Sequence, residues 1–122
     1  MKIIIRYLTG PQTGRSLKFP WQRILIGRDE ECDVRFDLQR DREVSGRHAE
    51  IIPGEGRQVE IRDLDSTNGI LVNGEKTSHT TLHPGDEIDL GDGGPRLRFG
   101  LRRPGMAGWI DVVFRRQERR TR

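Results

Sequence analysis

Cysteine is almost absent from this sequence of 122 residues, which contains only Cys32. A single cysteine excludes an internal disulfide and any metal site that needs several thiolates. Since its neighbours Asp33 and Val34 belong to a short β-rich run and not to a helix, we expect a packed, structural thiol. This cysteine usage fits a reducing, cytoplasmic compartment, which is the location we expect.

Long apolar runs are missing as well, and aromatic residues make up only 6% of the chain. No run approaches the roughly 18 apolar residues of a membrane-spanning helix, and the apolar residues 3–5 are too few for a signal peptide. A chain of this length buries one hydrophobic core. We therefore expect a single, monomeric domain without a membrane span.

Positive charge is abundant but unevenly distributed. Residues 101–122 contain seven Arg and two acidic residues, a net charge of +5, whereas residues 1–100 contain 15 basic and 17 acidic residues, a net charge of −2. We therefore expect a domain over 1–100 that binds no nucleic acid, followed by an extension over 101–122. The Arg-rich end of this extension is interpreted as a solvated terminus, with contact to an acidic partner, membrane headgroups or nucleic acid as the alternatives. Within it, 109–114 is a candidate for an extra strand or a docking segment.

Short runs of alternating apolar and polar residues, separated by Gly and Pro, continue through most of the chain. Helical periodicity is absent, and 15 glycines supply many turns. This pattern predicts an all-β sandwich. The predicted strands are 2–8, 15–19, 23–26, 32–36, 48–52, 58–63, 70–72, 87–90 and 96–99. The polar residues 37–44 are predicted to form a loop, and no strand is predicted in the polar residues 77–81.

Four polar clusters stand where predicted strands end, and a sandwich would gather such loops at one end. The clusters are Gly27-Arg28, Ser45-Gly46-Arg47-His48, the Asp-Ser-Thr-Asn-Gly run at 65–69, and Asn73-Gly74. Arginine supplies a forked, permanently charged donor, while serine and threonine supply short hydroxyls. No nucleophile with a base, no metal cluster and no cofactor motif accompanies them. We therefore expect a site that binds a phosphate without transforming it.

In their order and separation these clusters resemble the signature of the forkhead-associated (FHA) domain, a phosphothreonine-binding module. The resemblance covers about residues 3–100. It implies two packed, twisted sheets of about eleven strands, with the binding loops at one apex. It also implies a partner protein that carries phosphothreonine, either a substrate of a Ser/Thr kinase or the kinase itself.

The resemblance assigns a role to each candidate residue. Arg28 and the Ser45 hydroxyl, with the Ser45 backbone N–H as a further donor, are expected to bind the phosphate, and Arg47 to add positive charge. Thr67 is expected to border the phosphate, and Asn68 to hold the main chain of the peptide. Support of the loops is assigned to four further residues: Gly27, His48, Gly69 and Asn73.

Two observations leave alternatives open. His48 stands three residues after Ser45 and could therefore be a catalytic base for it. We disfavour this role and expect an inward-facing histidine that braces the loops. Gly46 departs from the family, whose members often carry Arg, Asn or Lys there. A missing donor at Gly46 favours the main rival hypothesis, an FHA scaffold that binds a partner without phosphate.

Glu43, two residues before Ser45, is expected to disfavour acidic residues downstream of the phosphothreonine.

Overall fold

Eleven β-strands and no helix form residues 1–103, the part of the chain described by this computed structural model. The strands are β1 (Lys2–Tyr7), β2 (Ser16–Phe19), β3 (Ile24–Gly27), β4 (Val34–Arg35), β5 (Ala49–Pro53), β6 (Val59–Asp63), β7 (Ile70–Val72), β8 (Glu75–Thr77), β9 (His79–Leu82), β10 (Glu87–Asp89) and β11 (Arg96–Arg102).

The strands form two sheets. One has six strands in the order β2-β1-β11-β10-β7-β8, and the other has five in the order β4-β3-β5-β6-β9. The registered pairs are antiparallel except β3 with β4, which are parallel. The prediction of an all-β sandwich with about eleven strands in two sheets is confirmed.

The core lies between the sheets, and strand alternation selects it. On β1, Ile3, Ile5 and Tyr7 point inward, and their partners on β11 include Leu97 and Phe99. The five-stranded sheet contributes further fully buried β-branched side chains: Ile24, Ile26, Ile51 and Ile61. Each fully buried side chain of this size stabilises the fold by roughly 1.5 to 3 kcal/mol. The sandwich therefore provides a rigid support for its loops.

Five loops meet at one end of the sandwich, which we call the apex. They connect β1 to β2, β3 to β4, β4 to β5, β6 to β7, and β10 to β11. Between β10 and β11, an ideal Cβ on Gly91 would lie 3.0 Å from Cβ of Asn68. Thr9 Oγ1, between β1 and β2, accepts a hydrogen bond from Arg96 N at 3.0 Å. These contacts make the apex one continuous surface.

The strand prediction was wrong in two places and inexact at its ends. Strands β8 and β9 occupy 75–77 and 79–82, where no strand was predicted. They are edge strands of the two sheets, so most of their side chains face solvent and apolar alternation is lost. Strand β4 has two residues, and β11 continues to Arg102, past the boundary expected at 100.

The candidate strand at 109–114 and the Arg-rich end lie outside the described residues. Over residues 1–103, no helix is long and apolar enough to span a membrane.

Candidate functional site

The ends of β3 and of the β4–β5 loop are joined through their backbones. Arg28 N donates to Ser45 O at 3.2 Å, and Asp29 N donates to Gly46 O at 3.0 Å. This approach is so close that a Cβ on Gly27 would stand 2.1 Å from Gly46 O. No residue larger than glycine fits at position 27 without moving the main chain. Gly27 thereby sets where Arg28 and Ser45 lie relative to each other.

Arg28 holds the β4–β5 loop with part of its guanidinium. Its Nε donates to the carbonyl of Val44, and its Nη1 donates to the carbonyl of Leu38 at 2.7 Å. A guanidinium has five N–H groups, so three N–H groups remain for a ligand. Val44 is fully buried within a loop predicted to be polar throughout, and this anchors the loop in the core. The fork of Arg28 is thus oriented before any anion arrives.

The same loop is ordered by its own carboxylates. Asp37 Oδ1 accepts hydrogen bonds from Gln39 N and Arg40 N, both at 2.8 Å. Both backbone donors lower the pKa of Asp37, and the N–H of Arg40 has the larger effect. Asp41 Oδ2 in turn accepts from Asp37 N at 2.8 Å.

His48 joins the loop that carries Ser45 to the loop that carries Gly69. Its Nδ1 accepts from Ser45 N at 3.0 Å, and its Nε2–H donates to Gly69 O at 2.7 Å. The side chain is fully buried, and burial lowers the pKa of the imidazole despite the opposing effects of Gly69 O and Asp63. A neutral imidazole is what this pair of bonds requires. Its Nδ1 receives the Ser45 amide and not the hydroxyl, so the Ser-x-x-His cluster has no base aimed at the Ser45 hydroxyl.

Ser45 and Thr67 are connected directly. Thr67 N donates to Ser45 Oγ at 3.1 Å, which leaves the Ser45 hydroxyl proton free to donate outward. The backbone N–H of Ser45, predicted as a second phosphate donor, is already bonded to His48. In this arrangement the Ser45 backbone donor is engaged within the protein, and the hydroxyl is the donor that Ser45 has left for a ligand.

The β6–β7 loop that carries Thr67 and Asn68 has an internal frame. Ser66 Oγ accepts from Gly69 N at 2.9 Å and bonds to the Asp63 carboxylate, which also accepts from Ser66 N. Gly69 has a φ of 72°, a left-handed conformation that favours glycine. Thr67 and Asn68 are therefore exposed on a loop that is fixed at both ends.

Asn68 also secures the neighbouring loop. Its Nδ2 donates to Glu43 O at 2.9 Å. The second Nδ2–H and Oδ1 remain at the surface, a donor and an acceptor side by side.

Arg47 and Gly46 differ from the other members of the cluster. Arg47 is exposed, and its Nε lies 3.3 Å from Glu31 Oε1. An ideal Cβ on Gly46 would lie 2.5 Å from Asp29 Oδ1, so a carboxylate occupies the space that a side chain at position 46 would enter. The positive charges of Arg28 and Arg47 are thus accompanied by two acidic neighbours.

Asn73 does not reach this end of the molecule. Strand β7 separates it from Asn68, and it bonds to the β9–β10 turn at the opposite end. Its Nδ2 donates to Asp86 Oδ1 at 3.0 Å, and its Oδ1 accepts from Glu87 N at 3.0 Å. Asn73 thus ties two loops together, but these are not the apical loops.

Sequence reasoning missed the contributions made by main-chain groups and by Ser66. The carbonyls of Leu38 and Val44 orient Arg28, and a carbonyl gives no sequence signal. Val44 was the one available signal, as an apolar residue that ends a polar loop. Within residues 1–103 no cluster of His, Cys, Asp or Glu is arranged to hold a metal ion.

Arg28, Ser45, Thr67 and Asn68 therefore form one surface. It presents a half-buried cation with three N–H groups, a serine hydroxyl, a threonine hydroxyl and a side-chain amide. Such a set suits an anion with several oxygens, flanked by an extended chain whose peptide groups the amide can bond.

Comparison with known proteins gives a consistent result. The sequence model of the FHA domain matches residues 24–91. The "Oxoglutarate dehydrogenase inhibitor" of Corynebacterium efficiens is 38% identical over 82 residues, which cover 67% of this chain and 55% of that protein. The chain thus spans about half the length of the curated relatives it matches.

Solved structures agree on the architecture. A structure from a study of phosphothreonine-dependent FHA domain interactions superposes with a TM-score of 0.71 at 27% identity, covering 84% of this chain and 99% of that one. Mycobacterium tuberculosis EmbR in complex with a low-affinity phosphopeptide gives a TM-score of 0.69 at 29% identity, covering 88% of this chain and 26% of that one.

Proposed function

Because the chain belongs to the FHA domain family, we propose that it is a signalling module that recognises phosphothreonine in a partner protein and catalyses no reaction. The observation that carries this proposal is the state of Arg28. Two of its N–H groups are bonded to loop carbonyls and three are left for a ligand, while the Arg28 backbone N–H is bonded to the carbonyl of Ser45. A cation fixed in this way loses little conformational freedom when it binds a phosphate.

The phosphate is held by Arg28 and Ser45, with Thr67 at its border. Hydrogen bonds to a charged group contribute about 1.5 to 3 kcal/mol each. Three or four such bonds, less the costs of desolvation and peptide ordering, give an affinity near micromolar, or about −8 kcal/mol. Arg47 reaches the phosphate only by exchanging Glu31 for it, so its contribution is smaller than that of Arg28.

The peptide lies extended across the loops and is held by Asn68. The exposed Oδ1 and the second Nδ2–H of Asn68 bond a peptide N–H and C=O together, which fixes the backbone and leaves sequence choice to other positions. Glu43 stands beside this path because its carbonyl is bound to Asn68. Its carboxylate disfavours acidic residues immediately downstream of the phosphothreonine.

The partner is a cytoplasmic phosphoprotein, either the substrate of a Ser/Thr kinase or the kinase itself. The relative named an inhibitor of oxoglutarate dehydrogenase supports a regulatory role exerted by binding. One observation favours a second candidate function, binding without phosphate on the same scaffold. The Asp29 carboxylate next to Gly46 weakens the attraction of the apex for an anion.

Fluorescence anisotropy with degenerate peptide pools tests the proposal. Pools with phosphothreonine, phosphoserine and unmodified threonine are titrated with the native protein, Arg28→Ala and Arg28→Lys. Arg42→Ala, which removes an exposed arginine of the neighbouring β4–β5 loop, is the matched control, and circular dichroism verifies that each variant is folded.

We expect selective binding of the phosphothreonine pool, lost in Arg28→Ala, weakened in Arg28→Lys because the fork is lost, and kept in Arg42→Ala. Equal binding of the phosphorylated and unmodified pools would establish the phosphate-independent function instead. Equal losses in Arg28→Ala and Arg42→Ala would show that only general charge is sensed.

A further inference from the structure

Leu38 is the one large apolar side chain exposed among residues 1–103, with 55% of its surface open to solvent. It belongs to the β4–β5 loop, and its carbonyl accepts the hydrogen bond from Arg28 Nη1 at 2.7 Å. A single exposed leucine is ordinary on a protein surface. This one, however, orients the proposed phosphate-binding arginine through its carbonyl. Its side chain is therefore an apolar surface beside the ligand site.

A hydrogen-bonded turn holds Leu38 in place. Asp37 Oδ1 accepts from Gln39 N and Arg40 N, both at 2.8 Å, and Asp41 N donates to Asp37 O at 3.1 Å. Leu38 lies within this turn, and its own carbonyl is engaged by Arg28. The backbone of Leu38 is thus fixed by bonds on both sides, so the turn sets the exposure of its side chain.

Leu38 also lines a cleft of about 760 Å³. The cleft opens between β2 and β4, which are edge strands of the two sheets. Tyr7, Leu17 and Phe36 contribute apolar surface to it, and the rings of Tyr7 and Phe36 meet edge to face with their centroids 5.6 Å apart. A side chain that enters the cleft beside Leu38 therefore contacts aromatic and aliphatic groups.

The charges of the cleft nearly balance. Five charged residues line it, with a formal sum of 3 − 2, or +1: Arg15, Arg35, Arg40, Asp33 and Asp37. Both aspartates accept hydrogen bonds from backbone N–H groups, and arginine side chains add apolar stems while their charged ends stay in water. Charge therefore does not select the occupant of the cleft, and its apolar surface suits an apolar side chain.

The proposed peptide reaches this cleft with the residues that precede its phosphothreonine. Asn68 and Glu43, joined by a hydrogen bond of 2.9 Å, lie along the path of the residues that follow it. Leu38 is joined to the site through Arg28 instead. An extended chain advances by about 3.4 Å per residue, and every second side chain points to the same face as the phosphothreonine. The side chains two and four residues before it therefore face Leu38 and the cleft.

We propose that the cleft beside Leu38 binds an apolar side chain of the partner, carried two or four residues before the phosphothreonine. This binding rests on the proposed function, because the phosphate held by Arg28 positions the peptide. Leu38 then has two roles: its carbonyl orients the arginine, and its side chain selects the residue that precedes the phosphate. Sequence preference is divided between the two sides of the phosphothreonine, with Leu38 before it and Glu43 after it.

Fluorescence anisotropy with the full chain tests this proposal. The reference peptide carries phosphothreonine among alanine, serine and glycine, and leucine is then placed singly at each position before and after the phosphothreonine. Native protein is compared with Leu38→Ala and Leu38→Met, which both keep the backbone carbonyl that holds Arg28. Arg42→Ala, which removes an exposed side chain of the same loop outside the cleft, is the matched control. Circular dichroism verifies that each variant is folded.

We expect leucine at the second or fourth position before the phosphothreonine to raise the affinity of the native protein about five- to tenfold, since apolar surface on both partners leaves water. The gain disappears in Leu38→Ala and persists in Leu38→Met and Arg42→Ala. The reference peptide binds all four proteins equally, because no variant removes the carbonyl of residue 38.

Nuclear magnetic resonance locates the added contact. The leucine peptide should shift the backbone amide signals of Leu17 and Phe36 more than the reference peptide does, because both residues line the cleft. Signals of these residues that respond equally to the two peptides would place the leucine elsewhere and overturn the proposal.

Other outcomes separate this proposal from the function of the apex. Equal affinities for the leucine and reference peptides, with phosphate still required, would overturn the role of the cleft and leave phosphothreonine recognition standing. A reference peptide weakened in Leu38→Ala as much as the leucine peptide would show that the side chain only supports the loop, and would overturn the proposal too. So would a gain that comes from leucine after the phosphothreonine. Binding of the reference without any dependence on phosphate would remove both the apical function and the proposal that rests on it.

Discussion

His48 is the buried side chain that joins the loop carrying Ser45 to the loop carrying Gly69, beside the bonds made by Thr67 and Asn68, and His48→Phe removes its link with little change of shape. The variant leaves Ser45 N–H and Gly69 C=O without their partner. An unsatisfied buried polar group costs about 1 to 3 kcal/mol, and both of these residues are half-buried. We therefore expect His48→Phe to lower the free energy of unfolding by about 2 to 4 kcal/mol, a large part of the ~5 to 15 kcal/mol typical of a domain.

The pH dependence of this contribution follows from the state of the imidazole. Burial lowers the pKa of His48 in the folded protein, so the unfolded chain, with a pKa of about 6.5, takes up a proton first as the pH falls. The stabilisation is complete above about pH 6.5 and is lost progressively below it, by at most ~1.4 kcal/mol per pH unit. A His48→Phe protein lacks this term.

Urea unfolding followed by circular dichroism, at about pH 7.5 and about pH 5.5, measures the difference on both sides of the histidine range. His79 and His83 are present in both proteins, so their contributions cancel in the comparison. His79→Phe, which removes an exposed histidine, is the control for substitution itself. If the native protein and His48→Phe lose stability in parallel between the two pH values, the neutral, doubly bonded histidine is the wrong description of this site.

Three other substitutions and one change of conditions give distinct outcomes. Gly46→Arg, which displaces the short Asp29 side chain and adds a forked donor, should tighten phosphopeptide binding about tenfold by anisotropy; unchanged or weaker binding would contradict this. Gly27→Ala should destabilise the protein by about 2 kcal/mol or more in thermal unfolding, since its Cβ meets a backbone carbonyl. Glu50→Ala should cost about 1 to 3 kcal/mol of stability by leaving two arginines unpaired, yet leave phosphopeptide affinity intact, because Glu50 lies on a sheet face away from the apex. Affinity of the native protein for phosphothreonine should fall below about pH 6 as the phosphate is protonated, and calorimetry that finds no fall would show that the second phosphate charge is not used.

The fold was predictable because apolar residues recur at every second position of the interior strands. Ile3 and Ile5 on β1 and Val59 and Ile61 on β6 mark buried positions two residues apart, and Gly or Pro follows most such runs. The edge strands β8 and β9 were not predicted because most of their side chains face solvent and show no apolar alternation. An edge strand is recognised by the backbone hydrogen bonds it makes to one neighbour, and these leave no trace in the side-chain pattern.

The sequence did not predict the contacts of the site that are made by main-chain groups. The candidate side chains follow from their types, but the use of Arg28 as a loop anchor depends on carbonyls of Leu38 and Val44 that any residues supply. The engagement of Ser45 N–H by His48 is equally invisible in the sequence. Asn73 shows a second limit of the sequence prediction: it is close to Asn68 in the sequence but does not lie at the apex. Strand β7 carries the chain to the other end of the sandwich in three residues.

Gly27 and Gly46 are both glycines of the site, and only one of them is required by the fold. At Gly27 the obstacle to a side chain is the backbone carbonyl of Gly46, which cannot move without moving the β4–β5 loop. At Gly46 the obstacle is the Asp29 carboxylate, which can rotate away, and the backbone of Gly46 is not left-handed. The absent side chain at Gly46 is therefore a property of the binding surface and not of the scaffold.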